Sequence, residues 1–204
     1  MRKIIVSIHS TFNGVVTGPT DDPTNFMTWI EEGGIKDTSV DFSKNFDTVD
    51  TILLGRGTYE DLSRKWPFAK DWPGVTEADL SLANLVNNTP KIIVTGKNKV
   101  EDPQWGDFEA PTLLTGDDIE DQIKALKEQD GGDIITFGSP TLVQSLANAN
   151  LIDEYRVLVH PVVVGDDGHN RLFENIDGQK DLKLLSTQMF EHGAVLMCYE
   201  TRKS

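Results

Sequence analysis

The sequence predicts one α/β domain, spanning 1–204, with three layers: a mostly parallel central sheet, helices on both of its faces, and a C-terminal antiparallel hairpin. Short apolar runs typical of buried strands alternate along the chain with segments of helical periodicity, the pattern of a parallel sheet. Two strand-like runs, at 182–190 and 194–201, are separated by only three residues, which is typical of a hairpin. A length of 204 residues suits a single domain of this class.

The hydrophobic pattern in the first part of the chain predicts two strands with a polar region between them. The strands are predicted at 4–8 (IIVSI) and 49–54 (VDTILL), and a short helix is predicted at 43–49. The polar region contains Phe26 and Trp29, which are spaced as on one helical turn. This aromatic pair is interpreted either as part of the core or as a platform for a substrate.

Two capping patterns predict where the helices of the middle region begin. Thr76 is followed by Asp79 and Asp117 by Glu120, and each pair has the spacing of a capping box. The first of these helices is predicted to end near Asn88. The turn-rich segment PQWGDFEAP separates the two helices.

A strand, a glycine turn, a helix and a second strand follow one another before the hairpin. The apolar run at 133–137 predicts the first strand, and Gly138 ends it. Ser139 is a good N-cap and Pro140 a good first helical residue, so the helix directs free N–H groups toward a possible phosphate. The second apolar run, at 155–164, is long, and we expect it to form a sheet edge that needs cover.

Two other predicted strand ends carry chemistry that suits a phosphate. The strand at 49–54 leads into Gly55 and Arg56, whose guanidinium could hold a phosphate in bidentate fashion. Thr58, with an acid three residues later, resembles a capping box that opens the next helix. A third strand, at 92–94, ends in a hydroxyl, a glycine and a cation (Thr95, Gly96, Lys97). Ligands of open α/β sheets bind at the carboxyl ends of the strands.

Each of these turns also has a simpler interpretation. The glycine turn at Gly138 is compatible with an ordinary strand–helix connection that binds nothing. Arg56 could form a surface ion pair, and Lys97 could be a solvated turn residue. Three such strand ends in one chain favour the phosphate hypothesis over these alternatives.

These segments together resemble the dihydrofolate-reductase-like family, most closely the branch with the C-terminal reductase domain of the bifunctional riboflavin-biosynthesis deaminase/reductase (RibD C-terminal domain). The resemblance covers nearly the whole chain and is carried by GRGTYE and LIDEYRVLVHPVVVGDDGHNRLF, supported by KIIVSIHSTFNGVVTG, KIIVTGK and GGDIITFGSP. It implies the dihydrofolate-reductase-like three-layer fold and an NADPH-dependent oxidoreductase. The implied activity is similar to that of 5-amino-6-(5-phosphoribosylamino)uracil reductase. It also implies a homodimer that pairs through the later strands of the sheet.

The resemblance implies a site, residue by residue. The turn that holds the cofactor's phosphates corresponds to Gly55, Arg56 and Thr58. The turn beside the adenosine 2′-phosphate corresponds to Thr95, Gly96 and Lys97. The pyrophosphate turn corresponds to Gly138, Ser139, Pro140, Thr141 and Leu142. The nicotinamide is expected near Ser10, Thr11, Asn13 and Gly14, of which Ser10 and Asn13 are the catalytic candidates, while Phe26 and Trp29 are candidates for substrate binding.

Two positions depart from the family's pattern and keep other functions open. Ser139 stands where a second glycine is common, and Asn13 stands where aspartate is common. Asparagine adopts the same turn conformations but cannot act as a carboxylic acid. No second basic cluster is evident for a phosphoribosyl group. The alternatives are a dihydrofolate reductase-like pterin reductase and, from another class, a non-catalytic nucleotide-binding homodimer.

Composition narrows the partners to small molecules and a second copy of the chain. A formal net charge of −14 disfavours nucleic acid and anionic membranes as partners, because both require a basic surface. The absence of a long apolar segment and the single Cys198 predict a cytoplasmic protein. Asp166, Asp167 and His169 share one glycine-containing loop, and we interpret them as a turn with no metal bound.

Overall fold

The computed structural model describes residues 1–18, 42–96, 100–165 and 170–202. The strands are β1 (Ile4–Thr11), β2 (Val15–Thr17), β3 (Val49–Gly55), β4 (Lys91–Gly96), β5 (Thr112–Thr115), β6 (Asp133–Thr136), β7 (Glu154–His160), β8 (Asn170–Arg171), β9 (Leu182–Met189) and β10 (Val195–Thr201). The α-helices are α1 (Arg56–Leu62), α2 (Glu77–Asn88), α3 (Ile119–Glu128) and α4 (Pro140–Asn148). Within the described residues, 3₁₀ segments lie at Lys44–Asp47 and Trp66–Asp71.

Eight of these strands form one sheet in the order β5-β4-β3-β6-β1-β7-β10-β9. The pairs from β5 through β7 are parallel, and β10 pairs antiparallel with both β7 and β9. β2 and β8 form a separate two-stranded antiparallel ribbon. The mostly parallel sheet with a C-terminal antiparallel hairpin confirms the fold class that the sequence predicts.

Alternation along the strands divides the core between two faces of the sheet. On β1, Ile4, Val6 and Ile8 pack in a cluster with residues of α3 and α4, and we call this side the α4 face. Ile5 points the other way, into a cluster with residues of α1 and α2, and this side is the α1 face. Ser7, His9 and Thr11 follow Ile5 at every second position, so strand alternation places them on the α1 face.

The helix boundaries confirm some of the predicted caps and correct others. Thr76 and Asp79 form the predicted capping box, and α2 ends at Asn88 as expected. The capping pattern at Thr58 is wrong, because the N-cap of α1 is Gly55, three residues earlier. The capping box predicted at Asp117 and Glu120 is also wrong, because α3 starts after Asp118, whose side chain makes no capping bond.

The apolar run at 155–164 is not a sheet edge. β7 lies in the interior, with β1 on one side and β10 on the other, so the hairpin covers it within the same chain. The edge strand at this end of the sheet is β9. Within 1–18, 42–96, 100–165 and 170–202, no helix is both long and apolar enough to cross a membrane.

Candidate functional site

The carboxyl ends of the parallel strands bring the predicted turns to one edge of the sheet. β3 ends at Gly55, β4 at Gly96, β6 at Thr136, β1 at Thr11 and β7 at His160. β3, β6, β1 and β7 are consecutive neighbours in the sheet. α1 leaves this edge directly after β3, and α4 leaves it shortly after β6. This is the edge at which open α/β sheets bind their ligands.

Two glycine turns that lie far apart in the sequence touch at this edge. The Gly55 N–H donates a 3.0 Å hydrogen bond to the Gly138 carbonyl. A β-carbon on Gly55 would lie 2.5 Å from Ser139 Oγ and 2.9 Å from its backbone nitrogen, so no other residue fits without displacing that turn. Gly138 has a φ of +116°, and a β-carbon there would lie 3.1 Å from Thr58 Oγ1. The two glycines therefore hold the β3–α1 and β6–α4 turns together.

The N-terminus of α4 presents free backbone donors to this edge. The helix begins at Pro140, and the first intrahelical bond that closes behind Ser139 is donated by the Val143 N–H, at 3.0 Å. The N–H groups of Thr141 and Leu142 precede it and have no acceptor inside the helix. Leu142 packs in the core of the α4 face, so only its backbone can serve a ligand. Ser139 occupies the N-cap position as predicted, but its hydroxyl makes no capping bond.

Arg56 is the cation at the start of α1, and in this structure it has an intrahelical partner. Its Nη1 lies 2.7 Å from Glu60 Oε1, and both side chains are exposed. The ion pair is the simpler interpretation that the sequence left open, yet an exposed pair of this spacing contributes only about 0.3–0.5 kcal/mol. A phosphate at the same edge can therefore compete for the guanidinium at little cost.

Thr95 carries an unsatisfied hydroxyl at the end of β4. The residue is buried, and Thr95 Oγ1 has no hydrogen-bond partner within the described part of the chain. Gly96 follows it as the last residue of the strand, and Lys97 lies outside the described residues. A buried hydroxyl without a partner costs stability, which makes a ligand or solvent contact at this strand end favourable.

The turn after β1 is fixed by Asn13. Its Oδ1 accepts hydrogen bonds from Thr11 Oγ1 at 2.8 Å and from the Val164 N–H at 3.2 Å, and its Nδ2 donates to the Val164 carbonyl at 2.7 Å. Gly14 adopts a φ of +84°, which glycine reaches without strain. Ser10 is buried, and its hydroxyl donates to the Thr11 carbonyl at 2.9 Å. The side chains of both catalytic candidates thus already have partners in the protein, and their catalytic roles stay predictions.

A pair of histidines lies at the same edge and was not predicted from the sequence. His9 Nδ1 lies 2.9 Å from His160 Nε2, and the two ring planes are inclined by 16° with centroids 5.1 Å apart. Phe42 stacks on the His9 ring at 4.8 Å. Burial lowers the pKa of His160 to about 4, and burial together with the nearby His160 lowers the pKa of His9 to about 3. Both rings are therefore neutral near pH 7.

Arg156 extends the polar surface of the α1 face beside the histidines. Its Nε donates to Glu154 Oε1 and its Nη1 to Asn45 Oδ1, both at 2.6 Å. Asn45 Nδ2 in turn donates to Ser7 Oγ at 3.2 Å. A small cavity lies here, lined by Ser7, Phe42, Asn45, Arg156, Leu158, Phe190 and Leu196. The guanidinium is half-buried and already paired, so it does not amount to the basic cluster that a phosphoribosyl group would favour.

Three predicted site residues, Phe26, Trp29 and Lys97, lie outside the described residues. The loop residues interpreted as a turn, Asp166, Asp167 and His169, lie outside them as well. Among the residues that the structure does describe, no group of three or more His, Cys, Asp or Glu side chains could hold a metal ion.

The residues present fit the dinucleotide that the resemblance implies. Glycines at positions 55 and 138 let the two turns lie against each other, because a β-carbon at either position would meet the opposite turn. The N–H groups of Thr141 and Leu142 suit an anionic group. The unpartnered hydroxyl of Thr95 adds a polar atom at the neighbouring strand end.

Comparison with known proteins agrees with this architecture. The uncharacterized protein YyaP of Bacillus subtilis (strain 168) is 26% identical over 198 residues, which cover 97% of this chain and 94% of that protein. A "Putative riboflavin biosynthesis protein" from Shewanella sp. PV-4 has a similar structure, with a TM-score of 0.71, 18% identity, and coverage of 98% of this chain and 99% of that one. Dihydrofolate reductase from Enterococcus faecalis, complexed with NADP(H) and RAB-propyl, superimposes with a TM-score of 0.54 at 13% identity, over 98% and 97% of the two chains.

The fold is therefore dihydrofolate-reductase-like. The sequence profile of one family matches residues 2–196, nearly the full length of the chain. By that match, the chain belongs to the RibD C-terminal domain family.

Proposed function

We propose that this protein is an NADPH-dependent reductase of a small heterocyclic substrate. The observation that carries the proposal is the contact between the Gly55 and Gly138 turns at the carboxyl edge of the sheet. This contact sets the start of α4 beside the start of α1, where a pyrophosphate can meet backbone N–H groups. Membership of the RibD C-terminal domain family supports the same activity.

Each turn has a role in this proposal. The N–H groups of Thr141 and Leu142 bind the pyrophosphate, and Arg56 exchanges Glu60 for a phosphate oxygen. Thr95 and Gly96, at the end of β4, lie beside the adenosine 2′-phosphate, and Lys97 stays a predicted contact of the same group. The dihydronicotinamide supplies the hydride, and the protein binds the two reactants, orients them and excludes water. Asn13 contributes by fixing the β1 turn through its bonds to Val164, so that the turn presents a constant surface.

For the substrate, we propose a pyrimidine similar to 5-amino-6-(5-phosphoribosylamino)uracil. The family match supports this class. A pterin is the alternative, favoured by the paired state of Arg156, which leaves little free positive charge for a phosphoribosyl group on the α1 face.

Turnover distinguishes these substrates. Purified protein is mixed with NADPH and, in separate reactions, with the pyrimidine and with dihydrofolate, while the absorbance of reduced nicotinamide is followed. We expect NADPH to be oxidised in the presence of the pyrimidine or of dihydrofolate. Matched reactions without protein serve as the control. Binding of NADPH without reduction of either substrate would favour the alternative of a non-catalytic nucleotide-binding protein.

We also propose that the protein forms a homodimer through β9. This edge strand is exposed along its length, with Leu184, Leu185 and Met189 at 51%, 46% and 82% exposure. Exposed apolar edge strands pair readily with another strand, and an antiparallel pairing of two identical strands is satisfied by a two-fold axis. The sequence of β9, LKLLSTQM, contains no acid although the chain carries a net charge of −14, so its self-association meets little repulsion.

A further inference from the structure

We propose that Tyr59 is a positioning residue that holds the Arg56 guanidinium where a cofactor phosphate can reach it, an inference that rests on the proposed reductase function. Tyr59 lies three residues after Arg56 in α1, about one helical turn further along the helix. Its hydroxyl group binds the backbone of Gln104, in the connection between β4 and β5, and we call this interaction the Tyr59–Gln104 contact.

The Tyr59–Gln104 contact consists of two hydrogen bonds to the backbone of one residue. The Gln104 N–H donates to the Tyr59 hydroxyl oxygen at 2.9 Å, and the Tyr59 hydroxyl donates to the Gln104 carbonyl at 3.1 Å. The hydroxyl acts as donor and acceptor at once, which no phenylalanine can reproduce. The two residues are 45 positions apart, so this contact joins α1 to a distant part of the chain.

Gln104 is a fixed point because its neighbour Trp105 is anchored in the core. The Trp105 side chain is fully buried, and its Nε1 donates to Asn87 Oδ1 at 2.7 Å. Asn87 Nδ2 in turn donates to the Trp66 carbonyl at 2.9 Å, and Lys91 Nζ lies 4.7 Å from the centre of the Trp105 ring. The segment that carries Gln104 is therefore held by the end of α2 and the start of β4.

The position of α1 depends on Tyr59. Tyr59 is the only buried residue of this seven-residue helix, all of which the structure describes. The ion pairs of Arg56 with Glu60 and of Asp61 with Lys65 join side chains four residues apart, so they hold α1 to no other helix or strand. Arg56 is exposed and moves with the helix that carries it. The Tyr59–Gln104 contact therefore limits where the guanidinium can lie.

A positioning role differs from a purely structural one in its effect on cofactor binding. Loss of a structural contact would weaken binding by the same factor whether or not Arg56 is present. A positioning residue acts through Arg56, so its loss has no further effect once the guanidinium has been removed. The coupling also works in both directions: if the Tyr59–Gln104 contact strengthens NADPH binding, NADPH strengthens that contact by the same factor.

A double-mutant cycle is the first test, and it needs no substrate. The dissociation constant for NADPH is measured for the unaltered protein, Tyr59→Phe, Arg56→Ala and the double variant. Tyr59→Phe is expected to weaken binding about 2- to 30-fold, the usual range for residues that act on a site without contacting its ligand. In the Arg56→Ala background the same change should have no effect.

Tyr199→Phe is the matched control for the loss of a tyrosine hydroxyl. The Tyr199 hydroxyl contacts Met197 Sδ at 3.9 Å, within β10, and β10 is separated from β3 by three strands of the sheet. This variant should bind NADPH as the unaltered protein does.

Hydrogen exchange of the unaltered protein is the second test, and it gives an answer even if Tyr59→Phe fails to fold. Saturating NADPH is expected to slow exchange of the Gln104 amide about 2- to 30-fold more than exchange of the Arg202 amide. The Arg202 N–H donates to the Asp181 carbonyl at 2.9 Å, beside the β9–β10 hairpin, and serves as the reference.

The outcomes separate this inference from the proposed function. If the unaltered protein binds NADPH but Tyr59→Phe binds it equally well, or loses the same factor with and without Arg56, the positioning role is overturned and the cofactor site stands. Equal slowing of the Gln104 and Arg202 amides would overturn the role as well. Failure of the unaltered protein to bind NADPH would reject the proposed function, and the positioning role with it.

Discussion

A β-carbon on Gly55 would lie 2.5 Å from the hydroxyl oxygen of Ser139, a residue 84 positions later in the chain. The two residues belong to different strand–helix turns, and the absence of a side chain at position 55 lets these turns meet. The candidate site therefore depends on a close approach of backbone to backbone, which one methyl group would prevent.

Gly55→Ala is expected to destabilise the fold by about 1–3 kcal/mol, the usual cost of overpacking a closed site, and to weaken NADPH binding by separating the turns. Gly57→Ala is the matched control in the same turn. A β-carbon at position 57 meets nothing within 4 Å, and alanine stabilises a helix by about 0.5–1 kcal/mol relative to glycine. Denaturant unfolding of both variants measures the difference. Equal stability of the two would contradict the close contact between the turns.

Arg56→Ala tests whether the guanidinium contacts the cofactor. Loss of a charge-assisted bond worth about 1.5–3 kcal/mol corresponds to a roughly ten- to hundredfold loss of NADPH affinity. Folding stability should hardly change, because the pair with Glu60 is exposed. Glu60→Ala is the matched control, since it removes the same ion pair and leaves the cation. If both variants bind NADPH as the unaltered protein does, Arg56 takes no part in the site.

The strands were predictable from local pattern because their apolar runs are bounded by glycine and polar residues. β3, β4 and β6 begin or end within a few residues of the predicted limits, and the hairpin of β9 and β10 is present as expected. β5 (Thr112–Thr115) was not predicted, because four partly exposed residues after a proline give no distinctive period. The sheet-edge prediction for β7 failed because strand order is a property of the whole fold, and the hairpin that covers β7 follows it in the chain.

The parts of the candidate site formed by residues close together in the sequence were predictable. The parts that depend on how two strands align in the sheet were not. The turns after β3, β4 and β6 could be predicted because glycines and hydroxyl residues directly follow an apolar run in each case. The pairing of His9 with His160 depends on how β1 aligns with β7, 151 residues away, and no local pattern encodes that alignment. A histidine near the carboxyl end of each of two apolar strands was the only signal. The hydrogen bonding of the Asn13 side chain to the backbone of Val164 could not be predicted for the same reason.

Stability is expected to fall as the pH is lowered from 6.5 toward 4. The pKa of His160 is lowered from 6.5 to about 4 in the folded protein, so in this window the unfolded chain binds the proton and the folded chain does not. The unfolded state therefore gains stability as the pH falls, by up to about 1.4 kcal/mol per pH unit for each such histidine. His160→Gln should flatten the slope of unfolding free energy against pH, measured by denaturant titration.

The lowered pKa of Asp50 is not expected to contribute in that window. Burial by itself would raise the pKa of Asp50, but the hydrogen bond from Gly132 and other partners hold it below its ordinary value of 3.8. Its stabilising contribution is therefore present above pH 3.8 and is lost only at lower pH. An unfolding free energy that is constant between pH 6.5 and 4.5 would contradict the lowered pKa of the pair.

The homodimer proposal predicts that charge on β9 separates the subunits. Light scattering is expected to give twice the mass of one chain for the unaltered protein and the mass of one chain for Leu184→Lys combined with Leu185→Lys. Leu80→Lys, at a leucine that is 40% exposed on α2, serves as the control and should stay dimeric. A monomer at micromolar concentration in the unaltered protein would reject the dimer, and a dimer that survives the double change would place its interface elsewhere.

The most direct test of the central claim is a titration of the protein with NADPH and, separately, with NADH, followed by quenching of tryptophan fluorescence. The Gly55 and Gly138 turns, with the donors of α4, predict saturable binding of NADPH. Thr95 and the residues after it predict weaker binding of NADH, because that cofactor lacks the 2′-phosphate. Equal affinity for both would remove the 2′-phosphate role from the β4 end. Failure of both cofactors to bind at millimolar concentration would contradict the claim that this edge of the sheet is a dinucleotide site.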